Sequence, residues 1–204
     1  MRKEDFLAIA RQAHKTGVEH GFWKTPYSDA HCLMLVVTEL AEAIEADREG
    51  RRADREAYER GIEARENLAG NAGASDIERY FLNRLYVVFE GYIKDTLEDE
   101  LADAVIRLAD LTEARGLDFP QWDIIEQRQS FVGPGAFAMG GTLPEILYRI
   151  TQKLTGLDSL KVRIPEAVLS VFYLAEYLGF DLLWFIDAKL LYNNCRKWKH
   201  GKKY

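Results

Sequence analysis

The chain has 204 residues, 48% apolar and 29% charged, with a mass of 23.4 kDa. That suffices for one ordinary core and excludes disordered and collagen-like classes. Basic residues number 27 against 33 acidic, a net charge of -6, so a duplex nucleic-acid surface, which needs a basic excess, is not expected.

Helical periodicity dominates and no alternating run is bounded by hairpin turns, so the expected fold is all-α. A first helix is expected over about Lys3–Lys15. A loop follows, with Ser28 or Asp29 placed to cap a second helix from Ala30 to about Arg48. The charged run from Glu49 to Glu66 reads as a solvated helix, and "AGNAGAS" (69–75) as a break. An aromatic-rich helix from Ile77 to Lys94 comes next. The segment after Thr96 reads as a helix ending at Gly116, a natural left-handed cap. Beyond a Gly-rich stretch, three helices are expected over about Leu143–Leu154, Ile164–Leu178 and Asp181–Lys197, then a basic tail.

The expected organisation is a metal-binding half (1–129), a linker (130–142) and a second half (143–204) within one unit. The linker "SFVGPGAFAMGGT" is no phosphate loop, because it neither joins a strand to a helix nor ends in Gly-Lys-Ser/Thr. An internal repeat crosses it at a constant offset. Asp95 matches Asp158, Leu97 matches Leu160, Ala104 matches Ala167, Glu113 matches Glu176 and Gly116 matches Gly179. The acids do not all follow, since Glu100 falls on Arg163. A duplication would leave the chemistry in one half.

The N-terminus has acids and no long apolar region, so it does not read as a secretory signal. The most apolar stretch (167–191) is interrupted by Glu176, Asp181 and Asp187, which fits a buried helix pair better than a membrane span. Cys32 and Cys195 lie far apart and away from ligand-spaced partners, as reduced thiols of a cytoplasmic protein do.

With 33 acids in 204 residues, chance supplies roughly five acid pairs at i, i+3, so the setting must carry the information. Between Cys32 and Ala46 the only polar residues are Thr38, Glu39, Glu42 and Glu45, on a helix otherwise apolar. Buried acids there need protonation, basic partners or a metal. On the helix after Thr96, residues Glu100, Asp103, Arg107 and Asp110 form one stripe, opposite a core face of Leu97, Leu101, Ala104, Val105, Leu108 and Leu111. Side by side, the two helices let Glu39, Glu42, Glu100 and Asp103 converge. Such an all-oxygen set favours Mg²⁺, with Mn²⁺ as the alternative, over zinc. The bland reading is a solvated salt-bridge ladder. A di-iron bundle usually needs Glu-x-x-His, and none of His14, His20, His31 and His200 follows a glutamate by three residues.

Cations recur near the C-terminus. Lys189, Asn193, Arg196 and His200 share one helical stripe that could meet phosphate and base, with Lys94, Arg107 and Lys197 as further substrate-binding candidates. Their bland reading is a helix end decorated with cations that suit its dipole. His20, Phe22 and Trp23 could stack on a base or staple the loop to the core. Trp122, Phe172, Tyr173, Trp184 and Phe185 read as core, and 47–60 as a solvated face.

"ELAEAIEADREG" (39–50) followed by "DTLEDELADAVIRLADL" (95–111) resembles the Glu-x-x-Glu and Glu-x-x-Asp metal motif of the MazG-like, all-α nucleoside triphosphate pyrophosphohydrolases. "GFWK" (21–24) and "KLLYNNCRKWKHGKKY" (189–204) are similar to segments of longer members. The resemblance implies hydrolysis of a (d)NTP to a monophosphate and diphosphate, in nucleotide-pool house-cleaning. It implies Glu39, Glu42, Glu100 and Asp103 as Mg²⁺ ligands, with Glu39 also a candidate to activate the water. Lys189 and Asn193 are drawn by it toward ligand contact. Two features depart from the pattern: Thr38 stands where many members carry a glutamate, and 51–90 is an unusual insertion. The alternative is a non-catalytic helical nucleotide-binding or interaction module. Homo-oligomerisation is compatible with either reading.

Overall fold

A computed structural model describes residues 1–63, 74–127 and 141–196, with the side chains of 74–79 left aside. Among the described residues every regular element is helical and there is no strand. The helices are α1 (Lys3–Glu19), α2 (Asp29–Arg48), α3 (Arg55–Glu63), α4 (Ala74–Tyr92), α5 (Leu97–Ala114), α6 (Leu143–Thr155), α7 (Leu160–Leu178) and α8 (Leu182–Cys195). A 3-10 turn lies at Phe22–Lys24, and a short helical segment at 122–127.

The starts follow local capping chemistry. Ser28 Oγ accepts from the His31 N–H at 3.2 Å, Thr96 Oγ1 from the Asp99 N–H, and Asp181 Oδ1 from the Trp184 N–H at 3.3 Å. Gly116 (φ 56°) and Gly179 (φ 84°) stand just past the ends of α5 and α7 in the left-handed region, where a Cβ would be strained. α7 begins a turn earlier than Pro165 suggests, with that proline inside the helix. The 130–140 part of the expected linker and 69–73 of the expected break lie outside the described residues.

α5 is the central helix. α1, α2, α7 and α8 all pack on it, and Leu97, Leu101, Ala104, Val105, Leu108 and Leu111 are each at most 1% exposed. Of the expected solvated helix at 49–66, α3 takes 55–63, and 64–66 lie outside the described residues. Residues 49–54 instead form a loop tied to the start of α5: Glu98, buried, accepts from Arg52 Nε at 2.6 Å and from the Ala53 N–H at 3.0 Å. Its charge is therefore partly an anchor, which composition could not distinguish from a solvated face. Tyr58, Phe89, Tyr192 and Trp184 make an aromatic cluster joining α3 and α4 to α8. Of the aromatics expected in the core, Trp122 and Phe185 are buried, whereas Phe172, Tyr173 and Trp184 are partly buried at its edge. Among the described residues no single helix is long and apolar enough to cross a membrane. The apolar stretch bends by 112° between α7 and α8.

Candidate metal centre and adjoining cavity

α2 brings its acids to α5 because Leu33, Val36, Leu40 and Ala43 bury one side of it, which swings Glu39 inward and leaves Glu42 at the rim. α5 supplies Glu100 from its first turn. One carboxylate oxygen from each of Glu39, Glu42 and Glu100 lies within 4.8 Å of the others. Three of the four expected ligands are thus brought together, with Glu39 and Glu100 buried and Glu42 exposed.

Glu100 is 5% exposed, and among the described residues its carboxylate takes part in no hydrogen bond or ion pair. Burial, reinforced by Asp103, Asp99 and Glu39, pushes its pKa to about 9. Glu39 is also raised, by burial and by Asp103, against the pull of Arg107. Arg107 Nε donates to Glu39 Oε1 at 2.5 Å. A buried, unpartnered carboxylate among other acids is what an all-oxygen cation site needs, and the donor set contains no nitrogen or sulfur. A hard divalent cation therefore fits these residues. A second acid group, Asp95, Asp99 and Glu100, shares Glu100 with the first.

Asp103, the fourth expected ligand, is not in either group. Its Oδ2 lies 2.9 Å from Lys189 Nζ, and Lys189 also donates to Asp99 Oδ1 at 2.7 Å. Asp103 is held below the ordinary carboxylate range because Lys189 and Arg107 outweigh its burial. Asp99, more deeply buried, rises to about 6 in spite of Lys189. Lys189, expected to contact substrate, is only 4% exposed and does not line the adjoining cavity: α8 carries it into the interior, where it pairs with two acids of α5. Asp99 was not singled out in the sequence. The signal available was that Lys189 is the only cation inside the apolar run of α8, so it needed an acid to accompany it.

Beside this cluster lies a cavity of about 140 Å³ between α1, the Phe22–Lys24 turn, α2, α5 and α8, lined by residues that include Trp23, Asp103, Arg107, Asp110, Asn193 and Arg196. Four of the expected substrate-binding residues therefore line it: Arg107, Asn193, Arg196 and Trp23. Asn193 is 8% exposed and its Oδ1 is buried without a hydrogen-bond partner among the described residues. Trp23 Nε1 donates to Asp110 Oδ1 at 2.8 Å, and the Trp23 ring meets the His14 ring edge-on at 5.3 Å. Trp23 thus both staples the loop and walls the cavity.

His20 has a different place. Its Nε2 lies 2.9 Å from the Arg196 carbonyl and its Nδ1 3.0 Å from the Thr16 carbonyl, tying the end of α1 to the end of α8. Lys94 is paired with Glu90 at 3.3 Å and Asp95 at 3.5 Å and does not line the cavity. Lys197 and His200 lie outside the described residues. The solvated-ladder reading fails for α5: Asp110 joins His14 and Trp23, Arg107 joins Glu39, and Asp103 joins Lys189, so the stripe is bonded inward. Compared with known protein families, curated proteins and solved structures, the chain shows no match.

Proposed function

We propose that the chain is a Mg²⁺-dependent nucleoside triphosphate pyrophosphohydrolase of the MazG-like all-α type, internally duplicated and cytoplasmic, that cleaves a (d)NTP to a monophosphate and diphosphate. The observation that carries this reading is the set Glu39, Glu42 and Glu100, with oxygens within 4.8 Å of one another. A cavity lined by cationic and aromatic side chains lies close by. The duplication is supported by α5 and α7, which start at the matched residues Leu97 and Leu160 and reach the matched glycines Gly116 and Gly179, both at positive φ.

In this mechanism Glu39, Glu42 and Glu100 would hold the ion, which would supply positive charge to offset that on the phosphate oxygens. Arg107, already on Glu39 and lining the cavity, orients that carboxylate and offers its remaining N–H groups to phosphate. Glu39, held in place by Arg107, is the carboxylate that would orient the attacking water. Lys189 keeps Asp103 ionised at the floor of the site. Asn193 meets the nucleoside from the α8 side.

The second reading, a nucleotide-binding module, has its own support. Lys189 and Arg107 pair with Asp99, Asp103 and Glu39, offsetting part of their charge from within the fold. Diphosphate release from a (d)NTP panel, with Mg²⁺ and with chelator, separates the two. The hydrolase reading requires chelator-sensitive release of diphosphate, rather than of inorganic phosphate, that Glu100→Gln brings to background. No release from any nucleotide favours the module.

A further inference from the structure

Asp110 sits three residues beyond Arg107 on α5, at the end of the stripe away from Glu100, and neither the metal group nor the proposed hydrolysis uses it. Ten helical residues separate Glu100 from Asp110, about 15 Å along the axis, a span that a nucleotide bridges from its phosphates to its base. Asp110 lines the cavity and has two protein donors. His14 Nδ1 lies 2.7 Å from Oδ1, and Trp23 Nε1 lies 2.8 Å from Oδ1 and 3.0 Å from Oδ2.

Oδ1 is therefore saturated, whereas Oδ2 has only a share of one N–H and keeps accepting capacity. Gly17 of α1 passes close to that oxygen: a Cβ at Gly17 would lie 3.2 Å from Asp110 Oδ2 and 3.2 Å from Trp23 Nε1, tighter than ordinary contact, so the backbone approaches there only because the residue has no side chain. The remaining walls suit a flat ring. Phe22 and Trp23 face the cavity, and Tyr27 and His31 stack on each other at 4.4 Å with an interplanar angle of 10°.

We infer that this cavity receives the base of the nucleotide and that Asp110 selects bases carrying an exocyclic amino group, namely cytosine, adenine or guanine, over uracil and thymine. The inference rests on the proposal that the cavity is a nucleotide site, but not on hydrolysis. A carboxylate held as an acceptor is complementary to an amino group, whose hydrogens are the positive part of the base edge. Uracil and thymine offer only the N3–H on that edge, set between two carbonyl oxygens that would face the carboxylate. The resulting repulsion is the discriminating element.

The test titrates the full chain with 2′-deoxycytidine, 2′-deoxyadenosine, 2′-deoxyguanosine, 2′-deoxyuridine and thymidine by calorimetry, in parallel with diphosphate release from the five corresponding dNTPs. At least one amino-bearing nucleoside should bind about tenfold or more tightly than both deoxyuridine and thymidine. Asp110→Asn should collapse that ratio to within about threefold. Gly17→Ala, whose methyl group would crowd both Asp110 Oδ2 and Trp23 Nε1, should weaken the amino-bearing nucleosides more than deoxyuridine and thymidine, so the inference stays testable if Asp110→Asn does not fold.

Equal or tighter binding of deoxyuridine or thymidine, no binding of any nucleoside, or a ratio that survives both variants would overturn it. Base discrimination without diphosphate release would retain the base site and discard the hydrolase reading. Diphosphate release without discrimination would do the reverse.

Discussion

Glu100 concentrates the tension of the site. An unfolded glutamate ionises near 4.5, whereas here burial and the neighbouring acids raise the value to about 9. Between those limits the unfolded chain binds fewer protons than the folded one, so this group's contribution to stability falls as pH rises through that window. Thermal melts of the metal-free chain from pH 5 to 9 should therefore show a decline that Glu100→Gln flattens. Mg²⁺ should restore stability most at the alkaline end, because it binds the ionised carboxylate. An unchanged slope in Glu100→Gln would count against the assignment. Lys189 is the complementary case: Lys189→Met leaves Asp99 and Asp103 without their cation and should cost about 3–5 kcal/mol in denaturant melts. Sequence spacing put Glu39 and Glu42 on one face of α2, because i, i+3 geometry is local, whereas packing decided that Glu100 of α5 meets them and Asp103 does not. Spacing did not show the pairing of Lys189 with Asp99 and Asp103, because periodicity tells that a cation shares a helix face, not whether a carboxylate of another helix waits there.

At the level of elements, helix starts were the most legible. Ser28, one of the two expected caps of α2, acts as one in place, since capping depends on a few consecutive residues. Ser28→Ala should destabilise by about 1 kcal/mol. Gly179→Ala, forced into the left-handed region, should cost about 1–2 kcal/mol; a change near zero in calorimetric melts would show that the α7–α8 bend relaxes. The stretch 49–54 was less legible. Its acids and arginines match a solvated helix in composition, yet Arg52 and the Ala53 N–H are taken by buried Glu98 at the start of α5. Nothing local in 49–54 announces a partner that lies more than forty residues onward.

For the whole molecule, α5 is the element every other contribution depends on, with helices on several sides. Leu108→Ala, at a residue 1% exposed, should cost about 2–5 kcal/mol, whereas Met34→Ala, at 60% exposure, should stay within about 0.5 kcal/mol. A comparable loss at both positions in chemical denaturation would mean that α5 is not the centre of the core. The insertion between the two acid motifs also acquires a place at this scale: α3 and α4 reach α8 through the Tyr58, Phe89, Tyr192 and Trp184 rings.

The sequence by itself determined that the chain is helical, where most helices begin, and which acids lie on one face of α2 and α5. These follow from periodicity and capping over a few residues, where each side chain acts on its own backbone. Only the tertiary structure decided that Lys189 and Arg107 are spent on acids of the interior. The same holds for Asp110, which lines the cavity with Trp23 and bonds to His14. Those outcomes depend on which faces of distant helices meet, and burial then makes each unpaired charge find a partner or change its protonation.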